Sequence, residues 1–165
     1  MDKDAFKNAA SKFPTGVVVA ITNHDNTWHG MTISSFTTIS MDPLIVMISI
    51  SKKAKMHNIL MNPKNSKFSI SILTENQKEL SNQFAGKKSE IIDKNINKYI
   101  SNPEDGYTVL NGSMSYFLCD LDEAYNKGDH TLFFGKVNKS WSSNDNRKPL
   151  VYYSRSYPQL IINED

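Results

Sequence analysis

A cluster of uncharged hydroxyl side chains is the first feature of this sequence that could bind a ligand. The segment from Thr32 to Thr38 carries five of them: Thr32, Ser34, Ser35, Thr37 and Thr38. Because hydroxyls donate and accept hydrogen bonds without carrying charge, a dense set at the end of a sheet can hold a polyhydroxylated or phosphorylated ligand. Threonine is also common in exposed strands, so composition alone favours an ordinary strand surface.

A second group of candidate binding residues is basic. The apolar run Leu44–Ile50 ends in Ser49-Ile50-Ser51, and Lys52-Lys53-Ala54-Lys55 follows it before a short helical pattern over Met56–Met61. Serines and lysines between a strand and a helix start are typical of an anion site, because helix N-terminal N–H groups and ammonium groups both attract negative charge. Lysine runs are also common on solvated surfaces, so the alternative is that these lysines form an ordinary surface without a ligand.

The remaining reactive side chains give no sign of a nucleophile or a metal site. Cys119 is the only cysteine and shares one strand face with Phe117 and Leu121, which predicts a core residue. His24 and His29 have no cysteine or acidic partner at metal-ligand spacing, and we interpret both as surface residues. Asp120, Asp122 and Glu123 fit the solvent face of a strand. We therefore expect no metal.

Length and composition limit the possible classes of protein. A chain of 165 residues with a net charge of +2 suits one domain, over residues 1–165, and gives no reason to expect a nucleic-acid partner. No apolar run approaches the roughly 20 residues that span a bilayer. The charged N-terminus lacks an apolar signal core, and a lone cysteine allows no internal disulfide. We expect no membrane partner and a cytoplasmic location.

Hydrophobic periodicity predicts a mainly β protein, a Greek-key β-barrel with a few short peripheral helices. A helix over Asp4–Phe13 is expected to plug one end of the barrel, and another should follow a capping box at Thr74 and Gln77. A short amphipathic helix is possible within Gly86–Gly106. Strands are predicted over Val17–Thr22, Thr27–Ile33, Leu44–Ile50, Lys67–Leu73 (half-buried), from Met114 onward, His130–Val137 and Leu150–Tyr157, the last closing the sheet.

Four motifs in order resemble the flavin reductase-like family: Phe13-Pro14-Thr15-Gly16, Gly30–Phe36, Ser40-Met41-Asp42-Pro43 and Gly128-Asp129-His130. The resemblance implies an FMN-binding split barrel that acts as an NAD(P)H-dependent flavin reductase, with FMN or FAD as its flavin. It also implies a homodimer and a possible oxygenase component as partner. The alternatives are an FMN-binding electron-transfer protein of the same fold without a nicotinamide site, and a structural barrel without cofactor.

The resemblance also assigns roles to single residues. His130 would be the catalytic residue, a neutral imidazole that donates a hydrogen bond to the nicotinamide carboxamide. In the family's phosphate loop a serine and a threonine are usual, whereas here Ala54 and Met56 stand in those places. Lys53 or Lys55 would compensate for the lost hydroxyls. The full set expected to bind the cofactor is Thr32, Ile33, Ser34, Ser35, Thr37, Ser49, Ile50, Ser51, Lys53, Lys55, Phe84, Ala85, Gly128, Asp129 and Tyr153.

Overall fold

A seven-stranded antiparallel sheet organises the chain in a computed structural model, which describes residues 2–25, 27–62, 64, 66–86 and 96–161. The fold is mainly β, as predicted. The strands are β1 Thr15–Gly16, β2 Val18–His24, β3 Thr27–Ile33, β4 Thr37–Met41, β5 Leu44–Ser51, β6 Lys67–Ile72, β7 Ile100–Glu104, β8 Tyr107–Leu110, β9 Ser115–Lys127, β10 His130–Ser142 and β11 Val151–Tyr152. The α-helices are α1 Lys3–Ala10, α2 Lys55–Leu60 and α3 Lys78–Phe84.

The strand order of the large sheet brings distant segments of the chain together. The order is β3-β2-β6-β9-β10-β5-β4, and two smaller ribbons pair β1 with β11 and β7 with β8. The hairpin of β9 and β10 is long, and its turn residues are Gly128 and Asp129. Because β10 also pairs with β5, His130 lies directly opposite Ser51. The end of β5 and the turn before β10 therefore occupy one corner of the sheet.

Alternate residues of the buried strands supply two apolar cores on opposite faces. Val18 and Ala20 of β2 belong to one core, while Val19 and Ile21 belong to the other. This confirms the prediction that the first β-branched run is buried on both faces. The half-buried prediction for β6 was wrong, because Ser69 and Ser71 are fully buried and bond to the β8 main chain at Thr108 and Leu110.

Helix α1 does not plug the barrel, which corrects the prediction. It ends at Ala10, three residues before the predicted end, and none of its residues is buried. Phe6 and Phe13 are 65% and 75% exposed. Amphipathic periodicity shows which face of a helix is apolar, but it does not show whether the fold covers that face.

Two further predictions need correction. The C-terminal segment does not close the large sheet, because β11 is a two-residue strand that pairs with β1. The predicted helix within Gly86–Gly106 falls partly on residues 87–95, outside the described residues. The described remainder is a 3-10 turn, Ile96–Tyr99, followed by strand β7.

Other local predictions are confirmed. The Gln77 side chain accepts a hydrogen bond from the Thr74 N–H at 3.0 Å, as a capping box requires, although the first turn is 3-10. Gly135 lies at a β-bulge, where an added Cβ would collide with the Phe68 ring. Cys119 is fully buried. None of the described helices is long and apolar enough to cross a membrane.

Candidate functional site

The end of β5 and the turn between β9 and β10 form the centre of the candidate site. The Lys52 N–H donates to the Asp129 carbonyl at 3.0 Å, and the Lys52 ammonium donates to the Gly128 carbonyl at 2.8 Å. Ser51 pairs with His130 in the ladder. The basic segment and the Gly128-Asp129-His130 motif, far apart in sequence, are thus one structural unit.

His130 and Asp129 form a hydrogen-bonded pair at the solvent boundary. His130 Nδ1 lies 2.8 Å from Asp129 Oδ1, and the two side chains are 44% and 90% exposed. The bond from His130, with help from the Lys53 charge, holds the pKa of the Asp129 carboxyl below its usual range. A carboxylate only accepts, so the Nδ1 proton belongs to this bond. In the neutral ring Nε2 then carries no proton and is an acceptor, which differs from the donor role expected from the sequence.

The hydroxyls of the predicted cluster bond to two different elements, α3 and β5. Ser35 Oγ donates to the Ser49 carbonyl at 2.9 Å and accepts from the Ser49 N–H at 3.0 Å, so it fastens the segment after β3 to β5. Thr32 Oγ1 donates to the Ser81 carbonyl of α3 at 2.7 Å. Thr37 is exposed at the start of β4. Thr32 is therefore tied to α3, whereas Ser35 is tied to β5 at Ser49, two residues before the His130 partner Ser51.

Ser34 lines a different depression from the rest of the predicted set. It contributes to a cleft of about 580 Å³ between α1 and the β1–β11 ribbon, where Phe6, Phe13 and Tyr152 supply apolar surface. Thr15 Oγ1, in the same cleft, is a buried hydroxyl with no hydrogen-bond partner among the residues that the structure describes.

Three predicted residues are buried or packed against the far face of β3. Ile33 and Ile50 lie in the core, so only their main-chain atoms remain to contact a ligand. Phe84, at the end of α3, packs on the backbone of Gly30, where an added Cβ would lie 2.5 Å from the Phe84 ring, and its ring centroid is 6.0 Å from that of Trp28. Ala85 is exposed beside it.

Tyr153 is placed at the C-terminal turn beside α1. Its exposed ring lies under the Lys12 ammonium, 5.9 Å from the ring centroid. The structure thus places Tyr153 next to α1, while His130, Ser51 and Lys53 gather at the corner of the large sheet.

The basic loop is positively charged, but it lacks the two hydroxyl side chains that are usual in the family, because Ala54 and Met56 occupy those positions. Lys53 and Lys55 are exposed. Ala54 is the N-cap residue of α2, and its side chain makes no capping hydrogen bond. Met56 is fully buried in the core, so its side chain points away from the loop surface. The residues present fit an anionic group, since the nearby acid, Asp129, is already bonded to His130.

The environments of two residues at this loop, His29 and Lys52, were not predicted from the sequence. His29 is half-buried rather than a surface residue, and burial together with the Lys55 charge lowers its pKa. Lys52 was one of three lysines in the basic loop, and nothing in the sequence distinguished it from the other two. Only the pairing of β5 with β10 shows that its ammonium is held by the Gly128 carbonyl, whereas Lys53 and Lys55 extend into solvent.

No group of three or more metal-ligating side chains is found among the described residues.

Comparison with known proteins gives a consistent result across most of the chain. The family model described as flavin reductase like domain matches residues 10–160. A relative named NADH-dependent flavin reductase, from Rhodococcus sp, is 32% identical over 94% of this chain and 85% of its own. The reductase component of 4-hydroxyphenylacetate 3-monooxygenase from Thermus thermophilus is 31% identical, covering 96% and 97% of the two chains.

The fold also has close counterparts among solved structures. Flavin reductase PheA2 in its native state superposes with a TM-score of 0.87 at 33% identity, covering 98% of this chain and 100% of its own. The expected fold class is confirmed.

Proposed function

The chain belongs to the flavin reductase-like domain family, and from this premise we propose that it is an NADH-dependent flavin reductase. It transfers a hydride from reduced nicotinamide to a bound flavin, FMN or FAD, and it does so as a single domain. The flavin supplies the hydride-accepting ring, and the protein supplies binding, orientation and electrostatics. The observation that carries the proposal is the corner where the Ser51–Lys55 loop meets the Asp129–His130 turn.

In this proposal different polar groups of the chain bind different parts of the flavin. The basic loop with Ser51, Lys53 and Lys55 holds the flavin phosphate, and the main chain of Ile33 and Ile50 is available to the ring. Thr32, already bonded to Ser81, retains acceptor capacity for a ligand N–H or O–H. We also propose that the bound cofactor contacts the other residues expected from the sequence, which include Ser34, Thr37, Phe84, Ala85 and Tyr153.

His130 orients the nicotinamide. Its Nδ1 proton is committed to Asp129, so the neutral ring presents Nε2 as an acceptor for the N–H₂ of the carboxamide. The ring needs no change of protonation state, since its task is to hold the donor at reaction distance, which raises the rate through positioning.

The deciding experiment uses the purified protein under anaerobic conditions. NADH is mixed with FMN or FAD, and the loss of NADH absorbance and the bleaching of the flavin are followed together, with NADPH in parallel. We expect equal loss of NADH and oxidised flavin. Flavin binding without NADH oxidation would favour the electron-transfer alternative, and no flavin binding would contradict the proposal altogether.

Phosphate recognition has its own test. Riboflavin lacks the phosphate, so it should bind more weakly than FMN, and the difference should shrink with salt because exposed charges are screened. Lys53→Ala together with Lys55→Ala should remove most of the preference. The matched control is Lys78→Ala with Lys98→Ala, which also removes two exposed lysines. Equal affinities for riboflavin and FMN in the parent protein would argue against a phosphate site in this loop.

We further propose that the protein is a cytoplasmic homodimer that passes reduced flavin to an oxygenase component. Support for the dimer comes from the outer strand β4 and its turn, where Ile39, Met41 and Leu44 are exposed. Met41→Lys should shift the sedimentation coefficient to that of a monomer, whereas Met61→Lys, at another exposed methionine, should not. A parent protein that sediments as a monomer would refute the dimer.

A further inference from the structure

We propose that His57 is a positioning residue for His130 and acts through the buried hydroxyl of Thr131. The inference rests on the proposed function, because it concerns how His130 is held for hydride transfer. His57 lies in the first turn of α2, directly after the basic loop, and Thr131 follows His130 in β10.

The contact between α2 and β10 is short and specific. His57 Nε2 lies 2.8 Å from Thr131 Oγ1, and the His57 ring meets the Phe133 ring edge-on with centroids 5.7 Å apart. Thr131 and Phe133 are both fully buried. The imidazole is therefore held by one polar and one aromatic contact, both on the first residues of β10.

The direction of each hydrogen bond follows from the number of protons available. Thr131 Oγ1 donates its single proton to Asn126 Oδ1 of β9 at 2.8 Å. The hydroxyl can then only accept from His57, so Nε2 of His57 must carry a proton. His57 Nδ1 lies 3.4 Å from Asn58 Oδ1. The chain His57–Thr131–Asn126 thus joins α2, β10 and β9 immediately beside the turn.

His57 is not required to attach α2 to the protein. Met56, Ile59 and Leu60 of the same helix are buried in the core and anchor it by apolar contacts. What the imidazole adds is a fixed distance between the basic loop and the start of β10. Lys52 bonds the other side of the turn, through the Gly128 and Asp129 carbonyls. His130 lies between these two tethers.

Loss of the His57 tether should therefore reduce hydride transfer and leave flavin binding in place. Misplacement of a reacting group by about 1 Å can cost on the order of 100-fold in rate. We expect His57→Leu to lower kcat/KM for NADH about ten- to hundredfold by that reasoning. The flavin dissociation constant should be unchanged, because Met56, Ile59 and Leu60 still anchor α2 and Lys52 still ties the basic loop to the turn.

Conservative variants separate the hydrogen bond from side-chain volume. His57→Gln keeps an N–H donor and should recover most of the activity that His57→Leu loses. Thr131→Ser keeps the hydroxyl, while Thr131→Val is nearly isosteric and removes it. Since both partners act through one bond, His57→Leu with Thr131→Val should be no worse than the poorer single variant. Fully additive losses, or equal activity of the Gln and Leu variants, would overturn the proposal.

A measurement without catalysis keeps this inference distinct from the proposed function. The ring-proton NMR signals of His130, assigned with His130→Gln, should shift in folded His57→Leu. They should not shift in His24→Leu, which removes a histidine from the β2–β3 turn. Unchanged His130 signals in His57→Leu would refute the tether. A parent protein that does not oxidise NADH would instead refute the proposed function, and the NMR result would still decide the tether.

Discussion

Ser35→Ala is expected to lower the stability of the protein even when no ligand is present. In the folded chain the Ser35 hydroxyl donates to the Ser49 carbonyl at 2.9 Å and accepts from the Ser49 N–H at 3.0 Å. Alanine removes both bonds and leaves two main-chain groups of β5 without these partners. The bonds join segments that are not neighbours in the sheet, since Ser35 lies between β3 and β4.

The size of the effect follows from the two bonds. A hydrogen bond contributes about 0.5–1.5 kcal/mol net, so the pair gives about 1–3 kcal/mol. Both residues are only partly buried, so water can replace part of the loss, and we expect about 1–2 kcal/mol. With a urea slope near 2 kcal/mol/M, the unfolding midpoint should fall by roughly 0.5–1 M.

Urea unfolding of the parent, Ser35→Ala and Ser34→Ala tests this prediction. Ser34 is the adjacent, exposed residue, and its alanine variant should stay within about 0.5 kcal/mol of the parent. Equal midpoints for the two variants would refute the structural role of Ser35. If Ser35→Ala instead weakened flavin binding at unchanged stability, the hydroxyl would serve the ligand directly.

Three further predictions address other parts of the molecule. His130→Ala should raise KM for NADH or slow reduction at unchanged flavin affinity, and loss of flavin binding would contradict its placement at the nicotinamide. Gly30→Ala puts a Cβ 2.5 Å from the Phe84 ring and should cost about 1–3 kcal/mol in urea unfolding; an unchanged midpoint would refute that packing. Burial, followed by its bond to Asp120, raises the pKa of Tyr107 to about 12. The folded state therefore keeps this proton longer than the unfolded state, so stability should fall as pH rises from about 10 towards 12, and Tyr107→Phe should lack that loss.

The sequence predicted the class of fold and most of its elements. Runs of β-branched residues, such as Val17–Thr22, are strand formers wherever the chain places them, and turn residues after Asn23 leave few choices for the next strand. The capping box at Thr74 and Gln77 is local chemistry and was correctly predicted. The order of four short motifs was enough to identify the family.

The sequence did not determine which faces the fold would cover. The serines of β6 look like solvent positions, yet β8 packs over them: its Thr108 carbonyl accepts from Ser69 and its Leu110 N–H donates to Ser71. The apolar face of α1 looks like a core face, yet no described element covers it. Alternation gives the two faces of a strand or helix, whereas burial depends on elements that are distant in the chain.

The candidate site shows the same division. Its residue types, the hydroxyls, the lysines and the Gly128-Asp129-His130 turn, were evident from the sequence. Their grouping was not, because the pairing of β5 with β10 joins segments far apart in the chain and only the folded register puts His130 opposite Ser51. The same register commits Lys52 to the turn and gives His57 a buried hydroxyl as partner. Long-range strand pairing is a property of the whole sheet, so the local sequence determined the chemistry available and the tertiary structure decided which groups act together.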